Sequence, residues 1–500
     1  MSRPDDRTAH EPSAPHRFAW RPVAIVAGAT GLVLLALSGR YGYHRDELYF
    51  LACGRHLAWG YPDQPPLVPF LARLMSGIDA HSLVLLRLPS DLAVAGTCVL
   101  TAVIARELGA GRRGQLLAAV AIAISNITLG SGHLLSTTTF GLTAWAAFFA
   151  VALHALRTGD GRWWLVAGVI VGIGLLDNDL LVLLVASVVV GLLVVGPRRV
   201  LLSPWLWAGA VVALALWTPY LLWQAHHGWP QLDISRAIAQ GSSGTSAPRW
   251  QIPLQQFYLA SPPLDPVWIA GLLALWRSPA LRWCRAFGVG YAVLVVAVMV
   301  TGGKPYYLAL AFPLLLAAGA QPAVDWVRRV PGRLRTWTIV LAVAAAIDAL
   351  ITLPLVPLGS LHSTPIVAVN YDAGETVGWP AFAAQMDSAL HEAGPDAVLV
   401  ASNYGEAGAV QRYFPQDAGR VYAVHNAYWL WGPPPSTADS VVAVGFDPAR
   451  LLPYFGSVTL EKRLDNHHGV DDDEQQASVR MCRVRKAPWP VIWNRLKTYG

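Results

Sequence analysis

Long apolar runs dominate the first two thirds of the chain, and they are continuous rather than alternating. A strand facing lipid on one side shows a period of two, so a membrane barrel is excluded; a hydrocarbon environment leaves only helices of roughly 20 apolar residues. Such runs predict spans near 20–38, 83–105, 114–132, 138–156, 163–177, 180–196, 205–223, 264–277, 286–301, 306–320 and 337–354, about eleven in all. After residue 354 the pattern changes. Residues 397–401, 441–445 and 478–484 read as short strands, with helical periodicity at 378–393 and 405–414, which predicts a small α/β domain over 355–500. Residues 1–19 read as a disordered cytoplasmic tail, and the length of this polar leader argues against a cleaved signal peptide.

Basic residues orient the spans, because short cytoplasmic loops are enriched in Lys and Arg. With the N-terminus inside, the inner loops hold Arg106, Arg112, Arg113, Arg157, Arg162, Arg198, Arg199, Arg277, Arg282, Arg285, Arg328, Arg329, Arg333 and Arg335. The short outer turns 133–137, 177–179 and 302–305 hold only Lys304. The loops 39–82 and 224–263 and the α/β domain then fall on the extracytoplasmic face of the cell membrane. Composition agrees: 54% hydrophobic and 14% charged residues exclude soluble, disordered and fibrous classes. The net charge of +6 is absorbed by topology, not by nucleic acid. Four cysteines set no disulfide framework; Cys53 and Cys482 share the outer face, yet the expectation is no bridge.

The first outer loop carries the most chemistry, in Tyr41-Gly-Tyr-His-Arg-Asp-Glu-Leu-Tyr-Phe50. Asp46 and Glu47 are adjacent, so on a helix they project about 100° apart, and one can face a cavity while the other pairs locally. A carboxylate at a water–lipid boundary suits a general base; an interfacial pair capping a helix and bridged to Arg45 or Arg55 is the bland account. Leu48, Phe50, Leu51 and Leu57 suggest an amphipathic helix lying in the interface, and Leu67 to Met75 a second beyond Pro65-Pro66.

These residues resemble a known family. The acidic pair after the first span, Asp63-Gln-Pro-Pro-Leu67, Gly228-Trp-Pro230 after Trp223-Gln224, and Gly303-Lys-Pro-Tyr-Tyr-Leu308 with Phe312-Pro313 together resemble the dolichyl-phosphate-mannose–protein mannosyltransferase superfamily. This is the family 39 branch of the lipid-sugar-dependent (GT-C) glycosyltransferases, related to the aminoarabinose transferases; the likeness covers roughly residues 38–325. It implies an all-α polytopic membrane enzyme moving a sugar from a polyprenyl-phosphate carrier to a protein, lipid or glycan hydroxyl, with no nucleotide sugar. Asp46 would deprotonate the acceptor and Glu47 would orient the site. Lys304 would face the carrier phosphate, with Tyr306 and Tyr307 beside it. His44, Arg45, Asp63, His133 and Arg236 would line the donor or acceptor site. No cofactor is implied with certainty, though a divalent cation fits two departures from the family pattern. Gly141 stands where an acid is common, and Asp179, in Leu176-Asp-Asn-Asp-Leu180, near where a Lys is common. A catalytically divergent member follows if these changes disable the site. From another class, a transporter or flippase of a lipid-linked or polar substrate fits the many spans, but the inverted repeats and midplane charges of transporters are not evident.

In the C-terminal region, Asn466-His-His-Gly-Val-Asp-Asp-Asp-Glu474 reads as solvated charge rather than a metal loop. Tyr404-Gly405-Glu406-Ala-Gly408 leads from a strand into a helix and lacks the Gly-Lys-Ser/Thr of a phosphate loop.

Overall fold

A computed structural model describes residues 16–241 and 244–499; most of the expected tail, and Ser242 and Ser243 of the second outer loop, lie outside the described residues. The chain is mostly helical, with one small sheet near its C-terminus. Among the described residues, six helices are long and apolar enough to cross a bilayer: Trp20–Leu37, Leu83–Glu107, Thr137–Thr158, Pro204–His226, Pro279–Thr301 and Arg333–Thr352. Two further candidates are broken. Arg112–Ile124 and Asn126–Gly132 meet at 54°, and Arg249–Ala260 and Pro262–Arg277 at 94°. The apolar runs at 163–177 and 180–196 form helices of only 13 and 15 residues, too short to cross hydrocarbon unaided. The run at 306–320 is displaced into Phe312–Arg328. Continuous hydropathy does not register the break at Ser125, which interrupts backbone geometry within an apolar run, whereas the polar Asp177-Asn178-Asp179 turn already divided the two short runs in the sequence.

Helices in a bilayer associate through close backbone approach at small residues. Here Gly271 and Gly319 face each other: a Cβ on Gly319 would collide with the Val267 carbonyl, and one on Gly271 with that of Leu315. This contact locks Asp265–Arg277 against Phe312–Arg328.

The sheet contains the three strands read from the sequence and two more. β1 (Val398–Ala401), β2 (Val421–Ala423), β3 (Val441–Val444), β4 (Phe455–Arg463) and β5 (Ser478–Arg485) lie in the order β2-β1-β3-β5-β4. β1 is parallel to β2 and β3, while β5 runs antiparallel to β3 and β4. Both faces of β1 are buried, so its run has no polar alternation. Val398 and Val400 pack toward Trp489, Ile492 and Trp493 of the last helix. Leu399 and Ala401 share a core with Phe382, Ala407 and Val410, and with Leu48, Tyr49 and Leu51 of the first outer loop.

That shared core corrects the interfacial reading of the first loop helix. Arg45–Arg55 is buried from Glu47 to Gly54 and packs against the C-terminal domain, and of the four apolar residues read onto it only Leu57, beyond its end, is substantially exposed. The Gly405–Gly408 spacing makes this possible, since a Cβ on Gly408 would stand 3.0 Å from the Leu48 Cβ. The second helix, Leu67–Ile78, does keep an outward apolar face of Phe70, Leu74 and Ile78.

Candidate active site

Between the C-terminal domain and the helices lies a cavity of about 1520 Å³. Its lining is of two kinds. One is polar, walled by His44, Arg45, Asp46, Asp63, Asp372 and Tyr404. The other is apolar, formed by Leu180, Leu183 and Ala186, by Ile234 and Ile238, and by Val298. Lys304, Tyr306 and Tyr307 also line it, on the turn after the Pro279–Thr301 segment.

The adjacent acids have divided their work as their helical angle allows. Asp46 keeps a half-exposed carboxylate on the cavity, and its Oδ1 accepts a 2.7 Å hydrogen bond from the Tyr404 hydroxyl. Glu47 is fully buried, and Arg87 donates Nε to its Oε1 and Nη2 to its Oε2, each at 2.8 Å. The backbone NH groups of His44 and Leu135 complete its shell at 2.8 and 2.9 Å. Burial alone would raise the Glu47 carboxyl, but the Arg87 charge and these donors hold it below the usual range. Glu47 thus ties the loop helix to Leu83–Glu107 and closes a capping box with His44, whose ring accepts from the Asp46 NH.

His44 Nε2 lies 3.6 Å from Asp372, which with Asp46 raises the imidazole despite its burial. Arg45 turns to the C-terminal domain: Nη1 reaches Asp473 at 2.7 Å, Tyr371 at 3.2 Å and Glu375 at 3.4 Å. The acidic stretch 471–474 is therefore not simply solvated charge, since Asp473 anchors Arg45 and Glu474 is buried. Asp63 accepts from Tyr49 at 2.7 Å and from Asn426 at 3.2 Å, while burial pushes it up to about 6. Lys304 has no ion-pair partner among the described residues; its Nζ stands 5.8 Å from the Tyr306 ring centre.

Two expected residues are not on the cavity wall. His133 is buried against the Leu129 carbonyl at 3.2 Å, and Arg236 is exposed and paired with Asp233 at 2.9 Å. Arg236 lies three residues from that acid on one helix, and both side chains are exposed. Sequence reasoning missed Arg87, Tyr404 and Asn426, which are distant from the first loop in sequence; only the acid–glycine loop Tyr404–Gly408 hinted at the second.

Gly141 meets the 177–179 turn in space through Asp177, not Asp179. A Cβ on Gly141 would lie 3.6 Å from Asp177 Oδ2, so an acid stands beside the position where one is missing. Asp179 does not pair with Lys304; it accepts from Tyr220 at 2.8 Å. Asp177 and Asp179 gather no third His, Cys, Asp or Glu ligand, whereas the one cluster among the described residues that could hold a metal, Asp387, His391 and Asp417, lies outside the cavity wall. All four cysteines are free and buried, so Cys53 and Cys482 do not pair.

Buried acids also set a pH dependence. Burial pushes both Glu406 and Asp472 up to about 7. In the unfolded chain both ionise in the ordinary carboxylate range, so stability is full below that range and lost as pH rises toward 7. The melting temperature is expected to fall between pH 5 and 8, and Glu406→Gln, which keeps an acceptor for the Asn403 NH, to flatten part of that slope in thermal melts.

Residues 63–223 match the family described as dolichyl-phosphate-mannose-protein mannosyltransferase; the acidic pair lies just before the matched region. No curated protein matches the chain by sequence. Among solved structures, ArnT from Cupriavidus metallidurans bound to undecaprenyl phosphate superposes with a TM-score of 0.59 at 15% identity, covering 91% of this chain and 97% of that one. The same protein in the apo state gives 0.57 at 15% identity with the same coverage. Residues 63–223 therefore carry the family resemblance read from the sequence, and the chain as a whole has an ArnT-like fold.

Proposed function

We propose that the protein is a membrane glycosyltransferase that moves a sugar from a polyprenyl-phosphate carrier to an acceptor hydroxyl on the extracytoplasmic face. One observation carries this reading. A single cavity joins apolar lining, a lysine without an ion partner among the described residues and a half-exposed carboxylate held by a tyrosine. The carrier's isoprenoid suits the apolar lining, and its phosphate suits Lys304. Asp46 takes the acceptor proton as the acceptor oxygen bonds to the anomeric carbon. The glycosidic C–O bond breaks with its electron pair leaving on the phosphate, where Lys304 stabilises the growing charge. The ArnT structure holding undecaprenyl phosphate supports a donor of this type. For topology we read eleven crossings, adding Trp163–Leu175, Leu180–Val194 and Phe312–Arg328 to the six long helices and two bent pairs. The arginine-rich loops then face the cytoplasm.

The test is incubation of the purified protein with labelled polyprenyl-phosphate sugars, following sugar released from the lipid phase. Carrier movement across liposomes without bond cleavage would instead support a flippase. Lys304→Ala is expected to lower kcat/KM for the donor by about 100-fold, while Lys304→Arg retains most activity. Steady-state kinetics against donor concentration checks this.

A further inference from the structure

The three parallel strands of the C-terminal sheet present their carboxyl ends to the cavity. After β1 come Ser402, Asn403 and Tyr404; after β2, His425 and Asn426; after β3, Gly445 and then Arg450. The chain leaves β1 toward β2 on one side, then passes over to β3 on the other and continues away. Connections thus diverge between β1 and β3, and the crevice outside such a switch point is where open α/β sheets bind ligands.

The local geometry points the same way. Asn426 is 2% exposed and holds a left-handed φ of 47°, a conformation few side chains adopt without compensation. Its Nδ2 reaches Asp63, but its buried Oδ1 has no hydrogen-bond partner. Tyr404 links this edge to the reacting centre by stacking on His425 at 4.7 Å while bonding Asp46.

We propose that this strand-end crevice is the acceptor subsite and that the acceptor is a saccharide. This rests on the glycosyltransferase reading above. The described cavity-lining residues from β1 onward are hydroxyl, amide, imidazole, guanidinium, carboxylate, phenol and glycine, with no aliphatic side chain to receive an acyl chain. Hydroxyls and amides match the ring hydroxyls of a sugar, and the Tyr404 and Tyr499 rings offer apolar faces for its C–H groups. An extended peptide lacks a ladder to join, because the cavity meets strand ends and the register beyond β2 is taken by the bridge from His425 to Thr498. The saccharide hydroxyl nearest Asp46 gives up its proton to that carboxylate and takes the sugar from the carrier phosphate.

The experiment uses the full chain in detergent with a series of labelled polyprenyl-phosphate hexoses and pentoses, mannose among them, as donors. Three acceptor probes are compared: free oligosaccharides, the same oligosaccharides on a lipid anchor, and a Ser/Thr peptide without sugar. Transfer to saccharides over peptide is expected, and the first two arms tell a free glycan from a lipid-linked one. In Asn426→Gly, which relieves the strained φ, and in Tyr499→Ala, at a partly exposed position, the acceptor KM should rise at least about tenfold while the donor KM moves less than about threefold. Slow release of sugar to water without acceptor reports the donor half alone; its absence from the wild-type protein with every donor removes the glycosyltransferase reading. If that release occurs, preference for the peptide, refusal of every saccharide, or an unmoved acceptor KM in both variants overturns the acceptor assignment by itself.

Discussion

Replacing Asp46 by Asn is expected to abolish detectable sugar transfer, with kcat down by about 10³-fold and the protein still folded. The amide keeps an oxygen able to accept from Tyr404, so the 2.7 Å contact that sets the side chain's direction survives. What disappears is the ability to take a proton. A positioned general base is worth about 10²–10⁴ in rate, or roughly 3–5 kcal/mol of barrier. Because the side chain is half exposed and outside the buried core, the substitution leaves no buried charge unpaired. The donor KM should change little, because Lys304 and the apolar lining are untouched. Labelled transfer measured beside a thermal melt separates the two effects, and wild-type rates in D46N would remove Asp46 from the chemistry.

The largest expected effect on stability is at Arg87. Its side chain is 1% exposed and Glu47 is fully buried, and the guanidinium also donates to the Ser38 and Gly42 carbonyls at 2.9 and 2.7 Å. Arg87→Met would strand the Glu47 carboxylate in the interior and unsatisfy two carbonyls, a loss of about 3–5 kcal/mol. Little monodisperse protein should survive detergent extraction. Adding Glu47→Gln removes the orphan charge, so the double variant should recover part of the melting temperature in fluorescence-detected thermal unfolding. A double variant no more stable than R87M would show that the packing of Arg87, not its charge, holds the loop helix.

The pair illustrates how far residue order alone reaches. Two adjacent acids at a helix start must diverge, so one pairing inward while the other faces a cavity is legible without coordinates. Which of them pairs is not, since Arg87 lies 40 positions away and contributes only by folding back. Lys304 was legible as the single charge in its turn, whereas the structure places Arg236 away from the cavity wall and beside Asp233, one helical turn earlier.

Hydropathy and arginine placement by themselves determined that the chain is a helical membrane protein with an appended α/β domain, because hydrocarbon tolerates no unpaired backbone and apolar composition is a local property. Strands such as β1 were equally readable, being short apolar runs bounded by turns. Only the tertiary structure decided that the first outer loop belongs to the core of the C-terminal domain, that Tyr404 holds Asp46 across 358 positions, and that the apolar run 114–132 breaks at Ser125. Those outcomes depend on shape complementarity between distant segments, such as Gly408 against Leu48, and no local pattern encodes which surfaces will meet.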